Sequence, residues 1–388
     1  MNWPVKKIGE VCIVERGSSP RPIDKYITDG PNGINWIKIG DTDESMYITS
    51  TAQKIIPEGM KKSRYVKAGD FLLSNSMSFG RPYILKIDGC IHDGWLLLRD
   101  KNEVFDKKFL YYYISSPTTY EKLRQLAVGG VVNNLNSELV RNVEVPIPSF
   151  EEQRAVSDKL DCISGLIHKR NQQLTKMDEL VKSRFVEMFG TYPNNPLRWE
   201  TGRIRDIVED VRYGSSRPAV EGGKYPYLRM NNITYSGELD LSDTKRIDVP
   251  ENELEKCTVH RGDVLFNRTN SKELVGKTCV YNRDELMVLA GFVIRVRVTE
   301  RVLPEFLSAF LNTDFSKQML LGMCKAAIGQ ANINAQEMQD IGLYLPPVEL
   351  QNQFVHFKAE VDKSKLAVKQ SLEKLETLKK SLMQQYFG

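Results

Sequence analysis

An internal repeat is the feature that most constrains the fold of this chain, because motifs of the first half return in the second half in the same order. Each half opens with a tryptophan five positions before an isoleucine, continues through a Gly-Ser-Ser loop, a Gly-Asp turn and an Asn-x-Asn segment, and ends on a proline joint and a Phe-Gly pair. The matching segments are Trp3–Ile8 and Trp199–Ile204, Arg16–Pro22 and Arg212–Pro218, Lys67–Asp70 and His260–Asp263, Asn134–Asn136 and Asn332–Asn334, Pro148–Gln153 and Pro346–Gln351, and Phe189–Gly190 and Phe387–Gly388. This ordered repetition predicts two copies of one structural unit, each about half of the chain.

Each copy divides at its proline joint into two parts with different hydrophobic periods. Before the joint, β-rich runs such as Trp36–Ile39 and Gly291–Val298 are separated by Gly, Asn and Asp turns, with short helices such as Pro304–Leu311 between them. This pattern predicts a mixed α/β domain over residues 1–149 and another over residues 191–347.

After each joint, apolar residues keep the four-three spacing of an amphipathic helix with a coiled-coil seam. The seam residues are Val156, Leu160, Ile163, Ile167, Leu174, Met177, Val181 and Met188 in the first copy, and Phe354, Val361, Val368, Leu372, Leu375 and Leu382 in the second. Only Gly165 interrupts the first segment, and no Pro or Gly interrupts Val355–Phe387. The sequence therefore predicts long helices over residues 150–190 and 348–388.

The predicted fold class is α+β: two mixed α/β domains in tandem, separated by two long helices that pack as an antiparallel coiled coil with pseudo-two-fold symmetry. A helix of about 35 residues is roughly 50 Å long, which is about one and a half turns of B-DNA. Such a coiled coil can hold two DNA-reading domains at a fixed spacing. Heptad helices also join the domains of adaptor proteins that bind no DNA, and the repeat alone leaves that alternative open.

Composition narrows the class of protein. No apolar run approaches the roughly 20 residues that span a bilayer, and Met1–Lys7 lacks the apolar stretch of a secretory signal, so we expect a cytoplasmic protein without a membrane segment. A net charge of +4 is compatible with a polyanionic partner but does not by itself indicate one. We expect reduced cysteines that bind no metal, because no Cys-x-x-Cys pair occurs among Cys12, Cys90, Cys162, Cys257, Cys279 and Cys324.

The repeated plan and its motifs together resemble the specificity subunits of type I restriction-modification systems, over essentially the whole chain. The resemblance implies two target-recognition domains, each reading one half of a bipartite, asymmetric DNA sequence, and a coiled coil that sets the spacing between them. It also implies the partners: double-stranded DNA, two methyltransferase subunits that form a core with this chain, and restriction/translocase subunits that join that core.

The chain lacks the motifs of the reactions that such a complex carries out. The Asn/Asp-Pro-Pro-aromatic motif of adenine methyltransferases is approached only at Asn195–Leu197 and Leu345–Val348, which lack the required neighbours. Asp106–Lys108 matches only the tail of a metal-dependent nuclease motif, and no Gly-x-x-x-x-Gly-Lys-Ser/Thr loop is present. We expect a non-catalytic subunit without a cofactor, with S-adenosylmethionine, ATP and magnesium on partner subunits; a stand-alone nuclease or methyltransferase is the alternative.

Loops rich in Arg, Lys, Asn and Gln are the candidates for reading DNA, because these side chains make bidentate contacts with guanine and adenine. In the first domain the candidates are Arg16, Gly17, Ser18, Ser19, Arg21, Lys38, Asn75, Ser76, Ser78, Arg81, Gly130, Asn133 and Asn134. In the second domain they are Arg212, Tyr213, Gly214, Ser215, Ser216, Arg217, Arg229, Asn231, Asn232, Asn267, Arg268, Thr269, Asn270, Lys272, Gln330 and Asn332. The alternative at each loop is a plain tight turn or, for Asn134 and Asn332, a helix N-cap.

Shared and divergent loop residues have different expected roles. Residues common to both copies, such as Gly17 and Gly214, hold phosphate or shape the turn, because identical residues do not explain two different target sequences. The divergent residues carry the specificity. The predicted base readers are Asn75, Arg81, Asn267, Arg268 and Asn270, and the predicted phosphate contacts are Lys38 and Lys272.

Overall fold

The structure is a computed structural model that describes residues 3–75, 80–127, 135–271, 273–327 and 330–388, with the backbone alone at 126–127, 325–327 and 330. The chain divides into two compact units. Unit 1 comprises Met1–Arg170 with Gln370–Gly388, and unit 2 comprises Asn171–Lys369. Each unit therefore contains one mixed α/β domain and part of each long helix.

Unit 1 consists mainly of short strands, as its frequent turn residues favour. Its strands are β1 (Val5–Lys7), β2 (Cys12–Arg16), β3 (Ile27–Thr28), β4 (Ile34–Ile37), β5 (Tyr47–Ile48), β6 (Gln53–Ile55), β7 (Arg64–Val66), β8 (Phe71–Ser74), β9 (Pro82–Leu85), β10 (Gly89–Ile91), β11 (Trp95–Asp100) and β12 (Glu144–Pro146). Its helices are α1 (Ile8–Val11), α2 (Pro57–Met60), α3 (Lys107–Ile114), α4 (Pro117–Ala127), α5 (Ser137–Arg141) and the first part of α6 (Phe150–Phe189). The sheet orders are β2-β11-β8-β9-β5, β3-β6-β4-β10-β7 and β1-β12.

Strand β11 is buried on both faces and contributes to two cores of unit 1. Leu96 and Leu98 belong to a core with α3, α5 and the long helices. Trp95 and Leu97 belong to a core between the two five-stranded sheets. Successive side chains of a strand point to opposite faces, which is why the continuous apolar run of β11 serves both cores.

Unit 2 has the same character. Its strands are β13 (Glu200–Arg203), β14 (Val208–Tyr213), β15 (Tyr225–Leu228), β16 (Lys245–Ile247), β17 (Thr258–Val259), β18 (Val264–Asn267), β19 (Thr269–Asn270), β20 (Thr278–Val280), β21 (Met287–Leu289), β22 (Val293–Val298), β23 (Lys325–Ala327), β24 (Gln330–Asn332) and β25 (Gly342–Leu345). Its helices are α7 (Glu251–Cys257), α8 (Pro304–Leu311), α9 (Asp314–Met323), α10 (Ala335–Gln339) and parts of α6 and α11 (Val348–Phe387). The sheet orders are β14-β22-β18-β20, β16-β15-β21-β17, β19-β24-β23 and β13-β25.

The two units share their central strand order. The run β2-β11-β8-β9 of unit 1 corresponds to β14-β22-β18-β20 of unit 2, and β6-β4-β10-β7 corresponds to β16-β15-β21-β17. The prediction of two mixed α/β domains built on one plan is therefore confirmed.

Helices α6 and α11 run antiparallel in unit 2. Phe185 of α6 contacts Phe354 of α11, with ring centroids 5.3 Å apart. Asp178, which precedes Phe185, forms an ion pair with Lys365, which follows Phe354. Each helix contains 40 residues, so each is about 60 Å long at 1.5 Å per residue.

In unit 1 the first turns of α6 meet the end of α11. Lys159 Nζ lies 3.5 Å from Tyr386 Oη, and the Phe387 ring lies 5.5 Å from the Phe109 ring of α3. The predicted seam residues are buried or half-buried in both units. The buried ones are Val156, Leu160, Ile163, Phe354 and Val368. The prediction of an antiparallel coiled coil is thus confirmed within each unit.

The glutamine of each proline joint fastens a long helix to its domain. Gln153 is 1% exposed, donates from Nε2 to the Pro148 carbonyl at 3.0 Å and accepts from the Asp106 N–H at 2.8 Å. Gln351 is fully buried and makes the equivalent contacts. It donates to the Pro346 carbonyl oxygen and accepts from the backbone N–H of the α8 N-cap residue, each at 2.8 Å. A buried amide with these partners is satisfied, so the repeated joint has a structural role.

The repeated Gly-Asp turn also has a structural role. Its glycine adopts a positive φ, +94° in unit 1 and +93° in unit 2, a conformation that favours glycine. The aspartates that follow are buried and form ion pairs with arginines of the neighbouring long strand, Asp70 with Arg99 and Asp263 with Arg297. The proline joint and the Gly-Asp turn, two of the repeated motifs, therefore both stabilise the fold.

Candidate nucleic-acid interface

In each unit the Gly-Ser-Ser loop lies against the turn that enters a long central strand, β11 in unit 1 and β22 in unit 2. This turn is His92–Gly94 in unit 1 and Ala290–Phe292 in unit 2. A Cβ atom on Gly17 would lie 2.1 Å from the His92 carbonyl oxygen, and one on Gly214 would lie 2.1 Å from the Leu289 carbonyl oxygen. Of the two roles predicted for these shared glycines, the geometry favours shaping the turn.

In unit 1, predicted loop residues converge on Asp93, which the sequence did not single out. Its carboxylate accepts from Ser19 Oγ at 2.8 Å and pairs with Arg21 at 3.4 Å. Its carbonyl oxygen accepts from Arg16 Nε at 3.1 Å and from Asn75 Nδ2 at 3.0 Å. We call these five residues the Asp93 cluster; it unites two loops that are far apart in the sequence.

The Asp93 carboxylate is ionised at neutral pH. Burial alone would raise its pKa, but hydrogen bonds from Ser19 and from its own backbone, with the charges of His92 and Arg21, together lower the pKa below its ordinary value. Its side chain is 45% exposed. An exposed carboxylate can accept a hydrogen bond from the amino group of cytosine, so the Asp93 cluster offers both donors and acceptors to a base edge.

In unit 2, the equivalent place is occupied by an aromatic and cationic group. The Arg268 guanidinium lies 4.8 Å from the centre of the Tyr213 ring, and Tyr213 Oη accepts from the Ala335 N–H at 2.8 Å. Thr269 Oγ1 donates to Asn332 Oδ1 at 3.1 Å, across the pairing of β19 with β24. We call Tyr213, Arg268, Thr269 and Asn332 the Tyr213 cluster; it joins three of the predicted loops.

Arg268 differs from the other predicted arginines of the second domain in having no anionic partner within the described ranges. Its Nε is buried without a hydrogen bond. The other predicted arginines of the second domain are held by carboxylates: Arg212 by Asp210 (2.7 Å), Arg217 by Glu253 (2.8 Å) and Arg229 by Asp243 (2.9 Å). Arg268 is therefore the predicted arginine of this domain that is best placed to bind an external acceptor.

Two predicted cations of unit 1, Lys38 and Arg81, have hydrogen-bond partners outside the Asp93 cluster. Lys38 Nζ donates to Gln53 Oε1 at 2.8 Å. Arg81 donates to the Asp43 carbonyl oxygen at 2.9 Å and lies over the Tyr83 ring. The structure does not bring either residue to the Asp93 cluster.

The structure does not support base reading by two of the predicted asparagines. Asn75 is 1% exposed and Asn267 is fully buried. In the amide orientation that satisfies both of its side-chain atoms, Asn267 donates to the Phe292 and Thr269 carbonyl oxygens and accepts from Asn270. Buried amides that already have hydrogen-bond partners present no edge to a base, so we reassign both to a structural role.

A similar correction applies to Asn232, which is 2% exposed. Its Oδ1 accepts from the Arg229 N–H and its Nδ2 donates to the Asp240 carbonyl oxygen, each at 2.8 Å. The α10 N-cap is Asn334 rather than the alternative considered for Asn332, and Asn332 is exposed.

The other predicted contacts divide by exposure. Ser18, Ser216 and Asn231 are exposed, Asn270 is half-buried, and Ser215 is buried. Outside the described residues lie Ser76, Ser78, Gly130, Asn133, Asn134 and Lys272, and Gln330 is described by its backbone alone.

Within the described ranges, no three His, Cys, Asp or Glu side chains are grouped so that they could hold a metal ion. The cysteines are free thiols, and burial raises the pKa of Cys12 and of Cys279 to about 12. No helix in the same part of the chain combines the length and the apolar character needed to cross a membrane.

Comparison with known families decides the class of protein. The sequence profile of the family described as "Type I restriction modification DNA specificity domain" matches residues 1–176 and again residues 196–378, one match for each copy of the repeat. The chain belongs to this family. The predicted resemblance to type I specificity subunits is thereby confirmed.

Known relatives are named as specificity subunits. The chain is similar to the type I restriction enzyme EcoKI specificity subunit of Escherichia coli K12, with 24% identity over 75% of this chain and 67% of that protein. It is 28% identical to the MjaIX specificity subunit of Methanocaldococcus jannaschii over 62% of this chain and 60% of that protein. The MjaVIII specificity subunit of the same organism matches at 21% identity over 98% of this chain and 91% of its own length.

Solved structures share the fold. A chain from a study of complex assembly and conformational transition in the type I restriction-modification system aligns with a TM-score of 0.59 and 18% identity, over 99% of this chain and 97% of that one. The S subunit of the type I system from M. genitalium aligns with a TM-score of 0.53 and 14% identity, over 100% of this chain and 96% of that one. Both likenesses concern the fold alone.

The sequence of this family member did not reveal two candidate DNA-binding residues, one in the entry turn of each unit. Asp93 organises its cluster, and Phe292 is 53% exposed in the equivalent turn of unit 2. Neither lies in a motif of the repeat. The signal that could have found them is their position just before the long apolar strands β11 and β22, because the turns at strand ends often carry binding residues.

Proposed function

We propose that this chain is the DNA-recognition subunit of a type I restriction-modification complex, in which each unit reads one half of a bipartite, asymmetric DNA sequence. The observation that supports this most is the contrast between the Asp93 cluster and the Tyr213 cluster. They occupy equivalent places in two domains of the same strand order, but they offer different donors, acceptors and apolar surfaces. Different contact groups at one place of a common scaffold read different bases.

The long helices are proposed to set the spacing between the half-sites and to bind two methyltransferase subunits, through which restriction/translocase subunits join. Exposed leucines on both helices support a docking role. Leu180 of α6 is 50% exposed and Leu366 of α11 is 58% exposed in unit 2, and Leu166 and Leu378 are 43% and 47% exposed in unit 1. Exposed apolar side chains on an otherwise charged helix favour a protein partner.

The chain is proposed to be non-catalytic. S-adenosylmethionine, ATP and magnesium are assigned to the partner subunits, because this sequence contains no motif that would bind them. The complex is assigned to the cytoplasm.

Two assays test this proposal. The purified chain, alone and with its methyltransferase subunits, is presented with a library of duplexes that carry bipartite sites, and binding is measured by electrophoretic mobility shift. We expect the complex to select two sequence blocks at one fixed separation. A complex with no sequence preference would contradict the proposal and favour an adaptor role.

The second assay separates recognition from chemistry. The chain alone is incubated with the selected DNA, magnesium and S-adenosylmethionine. We expect neither cleavage nor methylation, and methylation once the methyltransferase subunits are added. Either activity from the chain alone would contradict the non-catalytic assignment.

A further inference from the structure

Phe292 presents an apolar ring to solvent at a fixed position. It lies in the tight turn that Val293 closes by donating its N–H to the Ala290 carbonyl oxygen at 2.9 Å. The Phe292 carbonyl oxygen accepts from the Arg268 N–H at 3.0 Å. The side chain is nevertheless 53% exposed. A backbone held on both sides presents the ring at a low cost in conformational entropy.

The neighbours of Phe292 fit DNA better than an apolar protein surface. Its backbone is hydrogen-bonded to Arg268, whose guanidinium lies over the Tyr213 ring and has no anionic partner in the described part of the chain. A guanidinium without an anionic partner pairs with the O6 and N7 atoms of guanine, and an exposed phenyl ring can contact the 5-methyl group of thymine. The pair thus matches the chemistry of a major-groove edge.

The equivalent turn of unit 1 has no such group. Gly94 and Phe292 are equivalent, since their carbonyl oxygens accept the N–H groups of Asn75 and Arg268, each at 3.0 Å. Unit 1 therefore has no side chain where unit 2 has a phenyl ring, and it has the Asp93 carboxylate one residue earlier. The ring is an addition specific to the second reader.

We propose that Phe292 is a specificity-determining residue that contacts the 5-methyl group of a thymine in the half-site read by unit 2. This inference rests on the proposed function, because it assumes that unit 2 reads base edges. Arg268, fixed next to it, reads a base adjacent to that thymine. The half-site of unit 2 must therefore contain at least one thymine.

The test uses the full chain assembled with its methyltransferase subunits and a short duplex that carries the selected target. Each thymine of the half-site is replaced in turn by uracil, which removes only the methyl group. For the wild type we expect about fourfold weaker binding at one position, the effect of one buried methyl group. Phe292→Ala should bind the unmodified target about tenfold more weakly and lose nothing further on uracil substitution at that position.

Leu286→Ala is the matched control, because Leu286 is an apolar residue of the same unit that is 45% exposed. It should bind every duplex as the wild type does. Assembly of each variant with methyltransferase subunits is measured by size-exclusion chromatography, and a Phe292→Ala chain that fails to assemble would show that the ring meets a protein partner, which overturns the inference.

Three further results would overturn the inference about Phe292. They are a half-site without thymine, a Phe292→Ala complex that binds as tightly as the wild type, and an equal loss of binding on uracil substitution in the wild type and the variant. A wild-type complex with no sequence preference would instead overturn the proposed function itself.

Discussion

The two units hold the Gly-Ser-Ser loop against the entry turn in the same way, but they present different side chains at that turn. Both rely on a glycine that allows a loop to approach the entry turn, a Gly-Asp turn with a buried aspartate, and a buried joint glutamine. At the turn itself, unit 1 holds its loop with the Asp93 carboxylate, whereas unit 2 offers Phe292 and the Arg268 guanidinium on Tyr213. The comparison teaches that the repeated residues maintain the scaffold, while the residues at which the copies differ form the readers.

The largest effects should come from the shared glycines, and they should be equal in the two units. Gly17→Ala and Gly214→Ala each place a Cβ atom 2.1 Å from a backbone oxygen, which should destabilise the unit concerned by about 3 kcal/mol. Hydrogen exchange should rise in the altered unit alone. Gly40→Ala and Gly322→Ala are controls, because a Cβ atom meets nothing within 4 Å at either site. If Gly17→Ala destabilised unit 1 and Gly214→Ala left unit 2 unchanged, the two loops would not be equivalent.

The divergent residues should affect one half-site each. Arg268→Ala should reduce discrimination at one base position of the unit 2 half-site by about 1–3 kcal/mol. Asp93→Ala, which releases Ser19 and Arg21, should reduce discrimination in the other half-site only. Binding is measured with duplexes altered one base pair at a time. Equal weakening on all sequences would indicate phosphate contacts instead of base reading.

The ion pairs that attach each domain to the long helices should differ less in their effect on stability. In unit 2, Lys365 is 7% exposed and pairs with both Asp178 and Glu238. In unit 1, Lys108 is 40% exposed and pairs with Asp161.

Lys365→Met should destabilise unit 2 by about 1–2 kcal/mol, less than for a fully buried pair because the two carboxylates are partly hydrated. Lys108→Met should cost unit 1 no more than about 1 kcal/mol. Hydrogen exchange in residues 233–239 reports the first change. A larger cost for Lys108→Met would reverse the expected order.

The last comparison concerns a pH dependence of unit 2. Burial, with the charges of Lys182 and Lys277, lowers the pKa of Lys317 from 10.5 to about 7. Between these values the unfolded chain binds more protons than the folded chain, so the free energy of unfolding of unit 2 should rise with pH through this window.

Lys317→Met should remove that part of the rise. Urea unfolding at about pH 7 and about pH 9, followed in unit 2, compares the variant with the wild type. An identical pH dependence in both chains would show that Lys317 titrates normally.

The sequence predicted the fold better than the site, for a physical reason. Repeats, periodic apolar residues and proline joints are local patterns, and they correctly indicated the two domains and the antiparallel helices. Whether an amide faces solvent is decided by distant parts of the chain, which is why Asn75 and Asn267 could not be recognised as buried. Asp93 and Phe292 were missed because their roles depend on loops that only the folded sheets bring together.

Exchange of residues 1–149 for the corresponding domain of another specificity subunit, followed by mapping of methylated adenines in the host genome, tests the central claim most directly. If the two units are independent readers, the methylated sequence should change in one half, while the other half and the separation between the halves remain. A change in both halves, or in neither, would contradict the account.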